Sequence, residues 1–469
     1  MQDEVGQLTF TFGFPETEPK DDAEVTQVSG PEPSLPPVAA RERPERKRKW
    51  HSLIDKVYLP RNLQSAWERV RANQGAPGVD GMTIERFAEH AEERLQQLAQ
   101  ELRAKTYRPQ PVRRVFIPKS GGGERPLGIP TVRDRIVQQA LLQVLEPIFE
   151  TKFSARSHGF RRERGCATAL TVVDQAVKHG YEWVVDADIQ AFFDTVDHER
   201  LLTALNEEVA DGSVLRLIRR ILTAGVQLPE TAEVEPTELG TPQGGPLSPL
   251  LANVYLHAFD QAMVAAGHGL VRYADDFVIF AKSETEALAA LELARQILEG
   301  QWGLRLHPEK TRVVSVAHGF EFLGYRYFAD PQSGAIRKEV RRKSVQRFRE
   351  AIRRLTPRRK DQKLPKERHL TPERLARNAG LHQQIAAVNR YLEGWHGYFK
   401  HVRSFPDYFR SFDGFVRRRL RTAITGRIGV GWWLQRLPNR LLAQLGLLSL
   451  QALNRGYGRG PWDLRARKG

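Results

Sequence analysis

The ten residues VRYADDFVIF, Val271–Phe280, constrain the fold more than any other stretch of this chain. Two apolar runs, rich in β-branched and aromatic residues, meet across a pair of aspartates. That pattern reads as a hairpin inside a buried sheet. Side-by-side carboxylates repel, so Asp275 and Asp276 either sit in a solvated turn or are held by positive charge. A second acidic run, DADIQAFFDTVDH, carries Asp186, Asp188, Asp194 and Asp197, with Asp188 lying 87 residues before Asp275. It continues the strand pattern EWVVD. A strand ending in an acid, and a hairpin with acids at its tip, can bring carboxylates from distant sequence to one point. Three carboxylates so placed call for divalent cations, and two Mg²⁺ ions roughly 3.5–4 Å apart suit an in-line displacement at phosphorus.

The elements around these runs alternate. Residues 1–40 are acidic and rich in Pro and Glu, which predicts an extended segment without a core, and order is expected from about Trp50. Apolar spacing predicts helices over Leu63–Val70 and Ile84–Leu102, separated by the turn cluster QGAPGVDGM. VRRVFIP and RPLGIP around SGGGE predict a hairpin, followed by a helix from Thr131 to about Phe149. HERLLTALNEEV, LLANVYLHAFDQAMV and residues 284–299 read as helices, and VVSVAH and FEFLGYRY as a closing strand pair. From Lys343 onward the pattern is helical and basic. The fold class expected is α+β, an antiparallel sheet backed by helices and followed by an α-helical region.

Charge is divided unevenly. The chain totals +16, but residues 335–469 hold 33 Lys and Arg against 9 Asp and Glu, or +24, leaving −8 for residues 1–334. Trp395, Tyr398, Phe399, Phe409, Trp432 and Trp433 interleave with that basic excess, which points to a polyanionic partner. One cysteine, Cys166, excludes a disulfide framework or a thiolate zinc site within one chain and fits a reducing compartment. The opening MQDEVGQLTF is unlike a signal peptide, and LLAQLGLLSLQAL is too short to span a bilayer, so no membrane partner is expected.

In order along the chain, DIQAFFDTVDH, GTPQGGPLSPLLANVYL, YADD, GLRLHPEKT and FEFLGY resemble the sequence blocks of reverse transcriptases. IPKSGGGERPLGIPTVRDRIVQQAL, ARSHGFRRERGCATAL and the upstream AWERVRANQGAPGVDGMTIERF resemble the group II intron branch, so the likeness covers about residues 50–455. It implies a right-hand polymerase: a leader and linker at 1–48, a fingers extension at 49–110, fingers and palm at 111–334, a thumb or maturase domain at 335–425 and a DNA-binding-like tail at 426–469. It also implies catalytic, Mg²⁺-binding carboxylates at Asp188, Asp275 and Asp276, with the carbonyl of Ile189 as a further ligand. Asp186, Asp194 and Asp197 take no such role in the pattern.

By the same resemblance, Lys119 and Arg125 clamp the dNTP triphosphate, Phe193 excludes a ribose 2′-hydroxyl, Gln243 packs beneath the nucleotide and Lys310 assists the leaving pyrophosphate. Gly244 and Gly245 would leave room for the base pair, and Phe322, Leu323 and Gly324 would grip the primer. The plainer readings are a core aromatic in an FF pair for Phe193, a turn before a helix for PQGGP, and packing for Phe322–Gly324. NRYLEGWHGYFKHV resembles the maturase motif, so Arg341, Arg342, Lys343, Trp395, Tyr398 and Lys400 are expected to contact RNA. The partners implied are a group II intron RNA, a DNA target and primer, and dNTPs, in a bacterial cytoplasm and at the nucleoid, with a homodimer left open. The sequence stops without the His-Asn-His nuclease that many intron proteins carry, so insertion from a pre-existing 3′ end is expected. Two other readings are a domesticated polymerase in DNA repair or phage defence, and a non-catalytic splicing cofactor.

Overall fold

The computed structural model describes residues 49–118, 123–229, 233–357, 372–402, 404–405, 407–425 and 437–456. Among them are strands β1 (Val112–Pro118), β2 (Glu124–Ile129), β3 (Trp183–Asp188), β4 (Val226–Gln227) and β5 (Val234–Glu235). They are followed by β6 (Gly269–Tyr273), β7 (Asp276–Ala281), β8 (Arg312–Ser315), β9 (Phe320–Phe322), β10 (Tyr325–Ala329) and β11 (Ile336–Val340). The chain packs into two units, Met1–Phe153 with Ala191–His257, and Ser154–Gln190 with Ala258–Gly469.

In the first unit the sheet order is β2-β1-β4-β5, with β1 and β2 antiparallel through Val115 opposite Leu127. The helix Val132–Glu150 buries Val132, Ile136, Val137, Ala140 and Leu141 completely and packs against the helix Pro60–Ala72. Its start is capped by Thr131, whose Oγ accepts from the Asp134 amide at 3.1 Å. The Asp134 carboxylate in turn accepts from Thr131 Oγ, from the Gln110 amide and from the Tyr107 hydroxyl. The single helix expected over Ile84–Leu102 is two, Ile84–Ala88 and Ala91–Arg103. The apolar spacing runs on through a break at Glu89–His90, so periodicity does not register it.

The second unit is built on an antiparallel sheet of order β6-β7-β3-β8. One face is covered by the helix Glu284–Arg295, whose Ala287, Ala290 and Ala294 are fully buried; such small residues permit close approach to the strands. That helix ends in a π-turn over Gln296–Gln301. On the other face Val184, Val278 and Phe280 join a core with Phe320, Phe322, Tyr325 and Tyr327. The two runs expected to pair with each other do not. Residues of VVSVAH form β8 beside β3, whereas FEF forms β9 in a separate sheet of order β11-β10-β9. Each run has a better partner than its neighbour, and β11, with its charged IRKEV, was hidden by its polarity.

The same core continues into the C-terminal helices Arg342–Leu355, Ala379–Phe399 and Arg410–Thr425. Asp413 ties them to the helix Leu450–Asn454 by accepting from the Leu450 amide at 2.8 Å and the Ser449 hydroxyl at 2.5 Å. Among the described residues no helix is long and apolar enough to cross a membrane.

Candidate active site

The ladder of the second unit sets the acids. Asp188, the last residue of β3, lies directly opposite Asp276, the first of β7. Side chains alternate along a strand, so Asp186 shares the face of Asp188, and the register puts Arg312 of β8 opposite it. Arg312 donates from Nη2 to Asp186 at 3.0 Å, and Lys310 donates from Nζ to Asp188 at 2.6 Å. Burial, and then the neighbouring Asp186, Asp188 and Asp275, push the Asp276 carboxyl up to about 8. Asp275 occupies the hairpin turn beside Ala274, whose φ is +57°. Among the described residues no three His, Cys, Asp or Glu side chains are already drawn together as a metal cluster. Ile189 follows directly: His307 N–H donates to the Asp188 carbonyl and Gln190 N–H to the Arg305 carbonyl, so the Ile189 carbonyl lies outside both bonds. Arg312 was missed in the sequence; the alternation TRVVSV, with Arg on the acid face, was the available signal.

Of the residues expected on the nucleotide side, Arg125, Phe193 and Gln243 lie in the first unit and Lys310 in the second, while Lys119 falls outside the described residues. Arg125 donates from Nε to the Gln243 side-chain oxygen at 2.7 Å, and the Gln243 carbonyl accepts from the Gly128 amide at 2.8 Å. A Cβ on Gly244 would stand 2.7 Å from the Gly128 carbonyl oxygen, and one on Gly245 would stand 2.3 Å from Gln138 Oε1. The glycines therefore let this loop lie on β2 and the long helix. The Phe pair divides: Phe192 is 2% exposed and fills the core, while Phe193 is partly exposed with its ring edge-on to Phe192 at 5.3 Å.

Phe322 is 1% exposed and packs. After it, Leu323 (φ +45°) and Gly324 (φ +81°) make the two-residue turn between β9 and β10. Tyr398 donates from its hydroxyl to the Leu323 carbonyl at 2.9 Å, and Tyr325 donates to the Tyr398 carbonyl at 2.6 Å. The Arg341 amide donates to the Gly324 carbonyl at 3.0 Å, so Arg341 and Tyr398 both anchor this turn. Trp395 requires a correction. It is 9% exposed and enclosed by Phe348, Phe399, Phe409 and Phe412, so its ring packs the core and is not offered to RNA. Arg342 and Lys343 are exposed in the first turn of their helix. Lys400 lines a polar cavity of about 240 Å³ with Asp174 and the buried Lys338. Trp432 and Trp433 fall outside the described residues.

Residues 117–327 match the family described as reverse transcriptase (RNA-dependent DNA polymerase), and residues 371–433 match the group II intron maturase-specific domain. The class is RNA-directed DNA polymerase. Protein YkfC of Escherichia coli is 35% identical over 314 residues, covering 58% of this chain and 82% of that protein. The group II intron-encoded protein LtrA of Lactococcus lactis is 41% identical over 199 residues, covering 42% of this chain and 32% of LtrA. The chain belongs to the group II intron reverse transcriptase/maturase family. It spans most of YkfC but about a third of LtrA. A partial Cas6-RT-Cas1–Cas2 complex aligns at 26% identity over 53% of this chain and 43% of that one, with a TM-score of 0.35.

Proposed function

We propose that this protein binds a group II intron RNA, assists its splicing, and copies it into DNA for intron mobility. The observation that carries the copying role is Asp188 facing Asp276 across the ladder, with Asp275 in the adjoining turn. The donor set fits Mg²⁺: the oxygens are hard carboxylate oxygens, and burial first, then the neighbouring Asp186, Asp188 and Asp275, push Asp276 up to about 8, a cost that a bound divalent cation would offset. Asp188, Asp275 and the Ile189 carbonyl, supported by Asp276, would hold two Mg²⁺ ions, which when bound activate the primer 3′-hydroxyl and stabilise the leaving pyrophosphate. Asp186 stays with Arg312 and keeps β3 and β8 in register at the site's edge.

Lys310 pairs with Asp188 at 2.6 Å and is 59% exposed, and its ammonium is assigned to the pyrophosphate as charge develops there. Arg125 and Lys119 are assigned the dNTP triphosphate, Gln243 the underside of the nucleotide, and Phe193 the exclusion of a 2′-hydroxyl. Gly244 and Gly245 are assigned to the template–primer path, and Phe322, Leu323 and Gly324 to the primer. On the maturase side, Arg342 and Lys343 place two cations at a helix start, where the helix dipole disfavours them, and an RNA phosphate compensates that cost. DNA target, primer and dNTPs complete the set of partners.

Primer extension on poly(rA)/oligo(dT) tests the polymerase. The wild type is expected to add dTTP with Mg²⁺ and to stop on chelation. Asp275→Ala is expected to lose at least on the order of 100-fold in rate; full activity in that variant would sink the site assignment. Splicing of precursor RNA at low Mg²⁺ tests the maturase role, which fails if the RNA splices equally fast without protein.

A further inference from the structure

The acid-bearing turn does not rest on its own hydrogen bonds. Arg272, three residues before Asp275, is completely buried at the end of an edge strand, where an arginine has no solvent to receive its charge. Its guanidinium is fully employed. Nε donates to Asp260 Oδ1 at 2.6 Å and Nη2 to Asp260 Oδ2 at 2.5 Å, a two-pronged ion pair in which both side chains are 0% exposed. Nη2 also donates to Ser157 Oγ at 2.9 Å, and Nη1 donates to the carbonyl oxygen of Ala274 at 2.8 Å. Ala274 is the turn residue in the left-handed region, at φ +57°, a conformation alanine adopts only when its surroundings impose it.

A second element presses on the same residue. Segment 156–159 runs along the free edge of β6, with the Arg272 amide donating to the Arg156 carbonyl and the His158 amide donating to the Arg272 carbonyl, both at 2.9 Å. The chain then passes so close beneath the turn that a Cβ on Gly159 would stand 2.4 Å from the Ala274 nitrogen. Asp260 is itself fixed, because the neighbouring Phe259 ring packs on Phe277 of β7 at 5.2 Å between centroids.

We propose that Arg272, with Asp260 and Ser157 as its anchors and Gly159 as the floor, is the positioning residue that sets the Ala274–Asp275 turn and so aims the Asp275 carboxylate. The proposal rests on the polymerase reading for its consequence but on the turn's geometry for its content. A buried ion pair present for stability alone is replaceable by apolar side chains of similar volume. One that holds a carbonyl in place is not, because the replacement leaves Ala274 without its donor.

The test is the double variant Arg272→Met/Asp260→Leu in the full chain, which removes both charges together, alongside Gly159→Ala, which disturbs the turn without touching them. Primer extension is expected to show kcat lowered on the order of 100-fold with the KM for dTTP within about twofold, because misplacement of the reacting groups costs rate rather than binding. The second readout is thermal melting with and without Mg²⁺. The wild type is expected to gain melting temperature with Mg²⁺, and the variants to gain less. A folded double variant with wild-type kcat and a wild-type Mg²⁺ shift overturns the proposal. If the double variant does not fold, Gly159→Ala decides on the same two readouts. A wild type that extends no primer sinks the polymerase reading alone, since the Mg²⁺ shift still reports the turn.

Discussion

Two tight turns in the second unit make the same demand on the chain and meet it differently. Ala274–Asp275 joins β6 to β7, and Leu323–Gly324 joins β9 to β10. Each forces a residue other than glycine to positive φ, and each has a carbonyl pinned by a side-chain donor. At the acid-bearing turn the donor is Arg272, from the strand that leads into the turn. At the other it is Tyr398, 75 residues away on the helix Ala379–Phe399. The first turn is therefore set through its own strand, anchored by Asp260 and segment 156–159, and the second depends on the C-terminal helices. A change confined to those helices is expected to act on the Leu323 turn more than on the Asp275 turn.

The largest expected effect tests that dependence at its root. Trp395→Ala empties the aromatic cluster beneath the helix that carries Tyr398, where its ring meets Phe348 at 4.6 Å and Phe399 at 4.8 Å between centroids. Urea denaturation is expected to show a loss of about 3–5 kcal/mol. A loss below about 0.5 kcal/mol, as for a surface side chain, would return Trp395 to the RNA-contacting set. Tyr398→Phe is narrower. It deletes the hydroxyl bonded to Leu323 and keeps the ring, so stability should fall by about 1 kcal/mol. In primer extension the KM for primer–template should rise while kcat at saturation holds. A fall in kcat alone would mean that the two turns are not independent.

What the sequence disclosed follows the same division. VRYADDFVIF announced its hairpin because strand patterning and a two-residue turn are local properties, and the acids at EWVVDAD announced a strand end for the same reason. The register that sets Asp188 against Asp276, and the pairing of Asp186 with Arg312, depend on which strands become neighbours; the alternation in TRVVSV gives Arg312 a face but no partner. The β8–β9 pair failed for this reason: both runs were strands, but their partners lay elsewhere. Trp395 was misread because an aromatic among basic residues looks alike whether it faces RNA or a core. Its spacing from Val388, Leu392 and Phe399, all buried on one helical face, was the signal that outweighed the charge around it. Arg272 could have been flagged from sequence as well, being a charged residue inside an apolar strand.

The smallest expected effect is Ala274→Gly. Release from the left-handed region should gain about 1 kcal/mol, and the added freedom of glycine in the unfolded chain should cost about 0.5–1 kcal/mol. The melting temperature should barely move. If Arg272 and the segment under Gly159 hold the turn, they hold it for glycine too, because both act on backbone atoms, the Ala274 carbonyl and nitrogen. Polymerase rate should then stay within about threefold of wild type, a difference of less than about 0.7 kcal/mol in the barrier. A drop on the order of 100-fold in a variant of unchanged stability would locate the control of Asp275 in the alanine's own restricted backbone. In that case the two turns differ in what carries the strain and not only in who supplies the donor.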